Sequence, residues 1–268
     1  MPKLPAPPLP SALKAPPPRP SEDNGKATTP LEHAGGAGIS VVDWVDERTS
    51  LSGAARWLMF RKIPKGTNWF YTLGSATLFA FLSQAVTGVF LAMYYRPDPS
   101  GGAYESIRYV TNDVFLGQFV RGMHKWGSSV MVILVFLHMG RTFFFGAYKY
   151  PRELNWVIGV VLLILTMVMS FTGYLLPFDQ RAYWATIVGV NINGTGPLVG
   201  PYLSDFLRGG SEFGATTLSR FYAIHMLLIP GLLAALIGAH LYLVTKLGTT
   251  APPWAKAETR TELRETEV

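Results

Sequence analysis

Four of the five histidines fall in two long apolar stretches, at matched spacing. His124 and His138 lie in RGMHKWGSSVMVILVFLHMGR, and His225 and His240 in FYAIHMLLIPGLLAALIGAHLYLV. Either stretch is long enough to cross a bilayer, which takes roughly 20 residues. An ionisable side chain inside a membrane is costly and marks a functional site by default. The first pair is 14 residues apart. At ~100° per residue that is about −40° net, so both rings share one helix face about 21 Å apart. The second pair is 15 apart, which keeps one face to within about 60° over a rise of about 22 Å. Each helix therefore presents one imidazole near each membrane surface. If the two helices run the same way, the rings meet in two levels, His124 with His225 and His138 with His240. Neutral imidazole is a good iron ligand, and haem iron takes axial histidines. Two stacked bis-histidine haems would form an electron path across the bilayer. A lone membrane histidine has a plainer reading as a packing or hydrogen-bonding residue, but two matched pairs in separate spans favour ligation.

The chain has no cysteine. That removes disulfides, cysteine-held iron–sulfur clusters and thioether-linked haem together. Any haem is then b-type, held by coordination and packing, and no covalent c-type haem is expected.

The elements that position these residues are membrane helices. Aromatic residues make up 13% and charged residues only 15% of the 268 positions, and the apolar ones cluster in long runs. The expected fold is all-α, a polytopic bundle of four transmembrane helices enclosing two haems. The net charge of +6 sits in flanks and loops and suits anionic lipid headgroups. No clustered basic stripe supports nucleic-acid binding. Residues 1–38 read as a proline-rich tail without a core, and His33 at its end receives no role. Residues 39–66 read as an amphipathic, basic segment on the membrane surface, or else a helix packed on a partner. The haem-binding domain spans 67–249, and 250–268 form a polar tail.

Spans are expected at 68–95, around the first histidine pair, at 155–176 and at 221–247. Gly74 and Gly88 in the first span, and Gly159 and Gly173 in the third, repeat the 14-residue period. Each could open room for the flat face of a haem, Gly74 and Gly159 at the His138/His240 level, Gly88 and Gly173 at the other. Simple close packing of helices is the alternative. Arg121, Arg141 and Arg220 flank the histidines and could pair haem propionates or anchor lipid phosphates. Four spans put both termini on one side. Arg56, Arg61, Lys62, Lys65, Lys149 and Arg152 favour the cytoplasmic side, although the opposite loops also carry arginines.

IPKGTNWFYTLGS, QAVTGVFLAMYYRP, RGMHKWGSS, LHMGRTFFFGAYKYPRELNWVIGVVL, TGYLLPFDQRAYWA, FLRGG and LSRFYAIH together resemble the N-terminal, four-helix half of cytochrome b. They are most similar to cytochrome b6 of the b6f complex, over about residues 40–250. The resemblance implies a subunit of a quinol-oxidising bc or b6f-type complex in an energy-transducing membrane, such as the cell membrane. It implies a Rieske iron–sulfur protein as partner and a c-type cytochrome or other acceptor. It also implies a dimeric complex and proton translocation by a quinone cycle. In the family the TGYLLPFDQRAYWA region helps form the quinol site, which places Gly173, Tyr174, Phe178, Tyr183 and Trp184 as its lining. Phe178 stands where the family usually has Trp, and Thr72 where cytochrome b6 has the cysteine that attaches an extra haem. The Pro-Glu-Trp-Tyr motif is absent, so a separate C-terminal half similar to subunit IV must complete the quinol site. A haem-bearing membrane anchor of a dehydrogenase or hydrogenase is the alternative function, and a transporter with intramembrane histidines a third.

Overall fold

The computed structural model describes residues 41, 43–49 and 63–255. The proline-rich tail, most of the expected interfacial segment and the chain after Ala255 lie outside the described residues. Two units divide the chain, Met1–Arg61 and Lys62–Val268. In the first, position 41 and positions 43–49 are helical, and the Arg48 guanidinium caps Trp44 O at 2.7 Å while lying 4.1 Å over the Trp44 ring.

The second unit is all helical among the described residues. A 3-10 turn, Trp69–Thr72, leads into α1, Leu73–Ala92. Asn68 caps the turn by accepting from Phe70 N at 3.2 Å. The amphipathic α2 (Gly102–Asn112) precedes α3 (Gly117–Phe144), which carries the first histidine pair. After a short connection comes α4, Glu153–Tyr174. The long linker beyond it folds as α5 (Gln180–Gly194) and α6 (Gly200–Arg208). Asp179 caps α5 at Ala182 N, 2.8 Å, and Gly209 ends α6 in the left-handed conformation, φ 75°, a position that favours glycine because no Cβ clashes there. The last span is α7 (Ala215–Ala223), one π turn (Ile224–Leu228) and α8 (Ile229–Leu247).

Four segments are long and apolar enough to cross a membrane: Trp69–Ala92, Gly117–Phe144, Glu153–Tyr174 and Ala215–Leu247. In each, only 11% of the most apolar window is buried inside the chain. Such helices cannot form a water-soluble bundle, since Phe79, Val86, Ile133, Val157, Ile164 and Leu227 all point outward. Backbone hydrogen bonds are closed within each helix, as lipid requires.

The helices associate in two pairs. Span one packs along span two, and span three along span four. The two histidine-bearing spans, by contrast, have almost no direct backbone contact. What lies between them is the histidine rings. The densest packing is at one end, where Leu175, Val190, Leu207, Leu218, Phe221, Ile224, Ile229 and Leu233 form a continuous core. The opposite end is tied by long-range bonds: Arg152 to Leu247 O at 2.9 Å, Tyr71 Oη to Thr250 O at 3.0 Å, and Trp254 Nε1 to Gly66 O at 2.9 Å. The first residues of the expected polar tail, 250–255, fold back onto the chain, with Pro252 fully buried.

Candidate haem-binding site

The histidines meet in two levels. The His124 and His225 ring centres are 6.4 Å apart with planes at 77°, and those of His138 and His240 are 6.4 Å apart at 81°. That pairing requires spans two and four to run parallel. It also requires a 14-residue and a 15-residue spacing to match, and the π turn is what reconciles them. Ile229 N–H bonds back five residues to Ile224 O, so this turn holds about one residue more than an α turn. The extra residue falls between His225 and His240, whose spacing then acts as one of about 14. Pro230 is the local cause. It has no N–H to return to Met226, four residues back, and its ring crowds that carbonyl. Sequence reasoning missed the π turn, although a proline inside an apolar span was its signal.

At one level the outer ring nitrogens are held. Thr87 Oγ1 lies 2.9 Å from His124 Nδ1, and Thr172 Oγ1 lies 3.2 Å from His225 Nδ1. Met169 O is a further partner of His225 Nδ1, at 3.0 Å. With Nδ1 engaged, Nε2 is left as the coordinating nitrogen. The two threonines were not singled out from the sequence, though each directly precedes one of the four glycines. At the other level, His138 Nδ1 and His240 Nδ1 are buried with no hydrogen-bond partner.

The glycines lie against the rings. A Cβ added at Gly88 would sit 3.2 Å from His124 Cε1, and one at Gly74 3.1 Å from His138 Cε1. At Gly159 the distance to His240 Cε1 is 3.7 Å, and at Gly173 only 2.5 Å separate the added carbon from His225 Cε1. Gly74 and Gly159 thus lie beside His138 and His240, and Gly88 and Gly173 beside His124 and His225. Each glycine clears the room in which a ring can stand.

This arrangement can be tested against a metal group. Two metal–imidazole bonds of about 2 Å each, plus about 1.1 Å from nitrogen to ring centre on either side, predict roughly 6 Å between centres. The observed spacing fits one metal ion between the rings. Among the described residues no cluster of three or more His, Cys, Asp or Glu could hold a bare ion. Two imidazoles would leave the rest of the coordination to the bound group itself, which suits a haem. Arg141 adds to the fit. Its guanidinium stacks 3.8 Å over Tyr71, while Nε and Nη2 are buried without partners, as suits a guanidinium facing a carboxylate. Arg121 instead donates to Thr111 Oγ1 at 3.3 Å, and Arg220 donates to Phe206 O.

The residues expected at a quinol site lie on α4, on α5 and on the loop between them. Gly173 touches His225. Phe178 has φ 50°, a sparsely populated conformation for a bulky residue. Its ring stands 5.7 Å from Tyr183, which contacts Trp184 at 5.2 Å and Phe213 at 6.3 Å. Trp184 Nε1 donates to Gln180 Oε1 at 3.2 Å, and Tyr174 is half exposed. Phe213, remote in sequence, had no signal. Tyr95, beyond the end of α1, donates to Leu176 O at 2.6 Å, and burial pushes its phenol pKa up.

Four spans with stacked imidazole pairs between them are the architecture of a membrane-embedded b-type cytochrome. The cytochrome b/b6/petB family profile matches residues 59–248. The chain is 43% identical over 218 residues to the menaquinol:cytochrome c reductase cytochrome b subunit of Geobacillus thermodenitrificans, covering 78% of this chain and 97% of that one. It is 41% identical to cytochrome b6 of Heliobacterium modesticaldum over 79% of this chain and the whole of the relative. A solved structure, a hyperthermophilic respiratory Complex III, superimposes with a TM-score of 0.72 at 29% identity, over 84% of this chain and 62% of that chain. The chain belongs to the cytochrome b/b6 family, as a cytochrome b subunit of a bc/b6f-type complex.

Proposed function

We propose that His124 with His225, and His138 with His240, each hold one b-type haem, and that the chain carries electrons between a quinol-oxidation site and a quinone-reduction site. The observation that carries this reading is the pair of facing imidazoles, 6.4 Å apart, at each of two levels. When bound, the haems supply one-electron carriers at two depths of the bilayer. The residues of the chain do the rest. Gly74, Gly88, Gly159 and Gly173 clear space for the rings. Arg141 offers buried N–H groups to a carboxylate, with Arg121 and Arg220 supporting the other level. Phe178, Tyr183 and Trp184, with Tyr174 and Gly173, form an aromatic wall that seats a quinol ring and excludes water.

The remaining machinery lies in other chains. A subunit IV-like C-terminal half completes the quinol pocket, a Rieske protein takes the first electron and a c-type cytochrome accepts it. The complex is a homodimer in an energy-transducing membrane, with both termini of this chain on the cytoplasmic side, and its turnover moves protons by a quinone cycle. Menaquinol is the first quinol to assay, given the Geobacillus relative.

The test is a haem count on the purified complex. Two acid-extractable haems per chain are expected, one lost in His124→Leu or His225→Leu and the other in His138→Leu or His240→Leu. A haem that stays on the denatured chain, or one component lost in both His124→Leu and His240→Leu, would overturn the assignment. Quinol oxidation that persists in a complex lacking a Rieske or subunit IV-like protein would place the chain with dehydrogenase anchors instead.

A further inference from the structure

Past the end of α1 the chain builds a surface that electron transfer between the histidine levels does not use. Two hollows adjoin there and share Arg96 and Tyr109. One, of about 470 Å³, opens between Met93, Tyr94 and Tyr109. The other, of about 310 Å³, opens between Arg96, Arg108 and Asp113. We propose that together they bind one zwitterionic aminophospholipid, a phosphatidylethanolamine. Its phosphate lies on Arg96, its ammonium at Asp113, and its acyl chains start along Tyr109, Tyr94 and Phe90.

The depth of the site follows from the helices. Span one, Trp69–Ala92, is about as long as the bilayer core requires. Arg96, just beyond it, therefore stands among the lipid headgroups, where tyrosines also concentrate. Arg96 N donates to Ser106 Oγ at 3.3 Å, which ties the arginine backbone to α2, while the residue stays exposed. The aromatic rings form a track from the span to this point. Phe90 lies 5.4 Å from Tyr94, and Tyr94 lies 6.3 Å from Tyr109. Met93, 71% exposed, stands beside the track. An apolar path thus runs out of the membrane into a polar hollow, which is the outline of an amphiphile.

Charge selects the headgroup. The polar hollow holds two cations, Arg96 and Arg108, and two anions, Glu105 and Asp113. Arg108 Nη1 is 3.3 Å from Glu105 Oε1, so these two are paired within α2. Among the described residues Arg96 and Asp113 have no oppositely charged group within 4 Å. Asp98 feels the charge of Arg96, but its carboxylate is already engaged by Ser100 N at 2.9 Å. A purely anionic headgroup would satisfy Arg96 and be repelled by Asp113. A zwitterion satisfies both, since the guanidinium bonds a phosphate and a primary ammonium offers three donors to the carboxylate. A choline headgroup carries the same charges but no N–H for Asp113. A free phosphate would leave the aromatic track uncovered.

The experiment places the purified, assembled complex in nanodiscs of equal parts phosphatidylethanolamine, phosphatidylcholine and phosphatidylglycerol. Native mass spectrometry then reads the lipids that stay bound on release. Phosphatidylethanolamine should be enriched over its share of the disc. Arg96→Gln should lower that enrichment about threefold, the scale of an exposed ion pair. Asp113→Asn should lower it as well and raise retained phosphatidylglycerol, because the repelling carboxylate is gone. Lys149→Gln, which removes a charge at the other end of the bundle, should retain lipid as the parent does. Absorbance spectra of all three variants should match the parent. Equal retention of the three lipids would overturn the proposal, as would enrichment of phosphatidylglycerol in the parent or unchanged enrichment in either Arg96→Gln or Asp113→Asn. If Arg96→Gln does not assemble, Asp113→Asn decides: the exchange of phosphatidylethanolamine for phosphatidylglycerol supports the site and its absence sinks it. Haem content does not enter, so this outcome stands apart from the haem reading.

Discussion

The two ends of the bundle solve one problem with different means. At the His124/His225 end, α5, α6 and α7 close over the spans and build a nearly continuous apolar core, and the histidine Nδ1 atoms are held by threonines. At the His138/His240 end the connections are short, the Nδ1 atoms have no partner, and closure depends on the segment from Thr250 to Trp254 folding onto Tyr71 and Gly66. One end is enclosed by the chain's own fold; the other is held by a few long-range bonds around a half-buried arginine. A repeated motif can thus place two groups symmetrically and still give them different surroundings, because the loops and the residues flanking the repeat are free to differ.

The comparison can be broken most severely at the helical phase. Deleting Val132, in the regular α-helix between His124 and His138, rotates one ring by ~100° relative to the other and should cost one haem per chain. Deleting Leu227 together with Pro230→Ala removes the wide turn and leaves a regular helix with 14-residue spacing, so both haems should be retained. Haem content of the two purified variants is the measurement. Equal loss in both would mean that the π turn does not compensate for the extra residue.

Smaller effects should rank the glycines. An alanine Cβ at Gly173 would stand 2.5 Å from His225 Cε1, inside any real contact, whereas at Gly159 it would stand 3.7 Å from His240, an ordinary one. Gly173→Ala should therefore lower occupancy of the first-level haem most, with Gly74→Ala and Gly88→Ala intermediate and Gly159→Ala near parent. Overpacking of this kind typically costs about 1–3 kcal/mol. Spectral quantification of each component checks the order, and a larger loss in Gly159→Ala than in Gly173→Ala would contradict it.

The C-terminal closure offers a finer test. Trp254→Ala removes the bond to Gly66 O and the edge contact with Phe145, whose ring centre is 5.3 Å away. It should destabilise the second level only, seen as faster loss of the His138/His240 component on heating while the other component is unaffected. Smallest of all, Tyr95→Phe deletes one buried hydrogen bond to Leu176 O, worth about 1 kcal/mol. It should lower the thermal midpoint slightly and act at the first level. Loss of both components together in either variant would mean that the two ends do not melt independently.

Much of this was legible in the residues alone. Four spans follow from hydropathy because the bilayer leaves few backbone options, and the histidine and glycine periods follow from helix geometry. The pairing of levels follows from counting spans, since every crossing reverses direction. Other features depend on contacts between residues far apart in the chain. Tyr71 and Thr250 meet across 179 positions, and Phe213 reaches Tyr183 from the loop between α6 and α7. No local period predicts such contacts. The threonine bonds to His124 and His225 needed the helix pairs to be assembled before a residue next to a glycine could be seen to face a ring nitrogen. The π turn stands between the two cases. Pro230 announces that the last span is irregular, but how the chain absorbs the irregularity was decided by packing, which places His225 opposite His124 only if the helix takes up one extra residue there. Sequence determined the periods, because they are properties of a single helix. Tertiary structure decided the phase between helices and the partners of each ring nitrogen, because those depend on which faces come together.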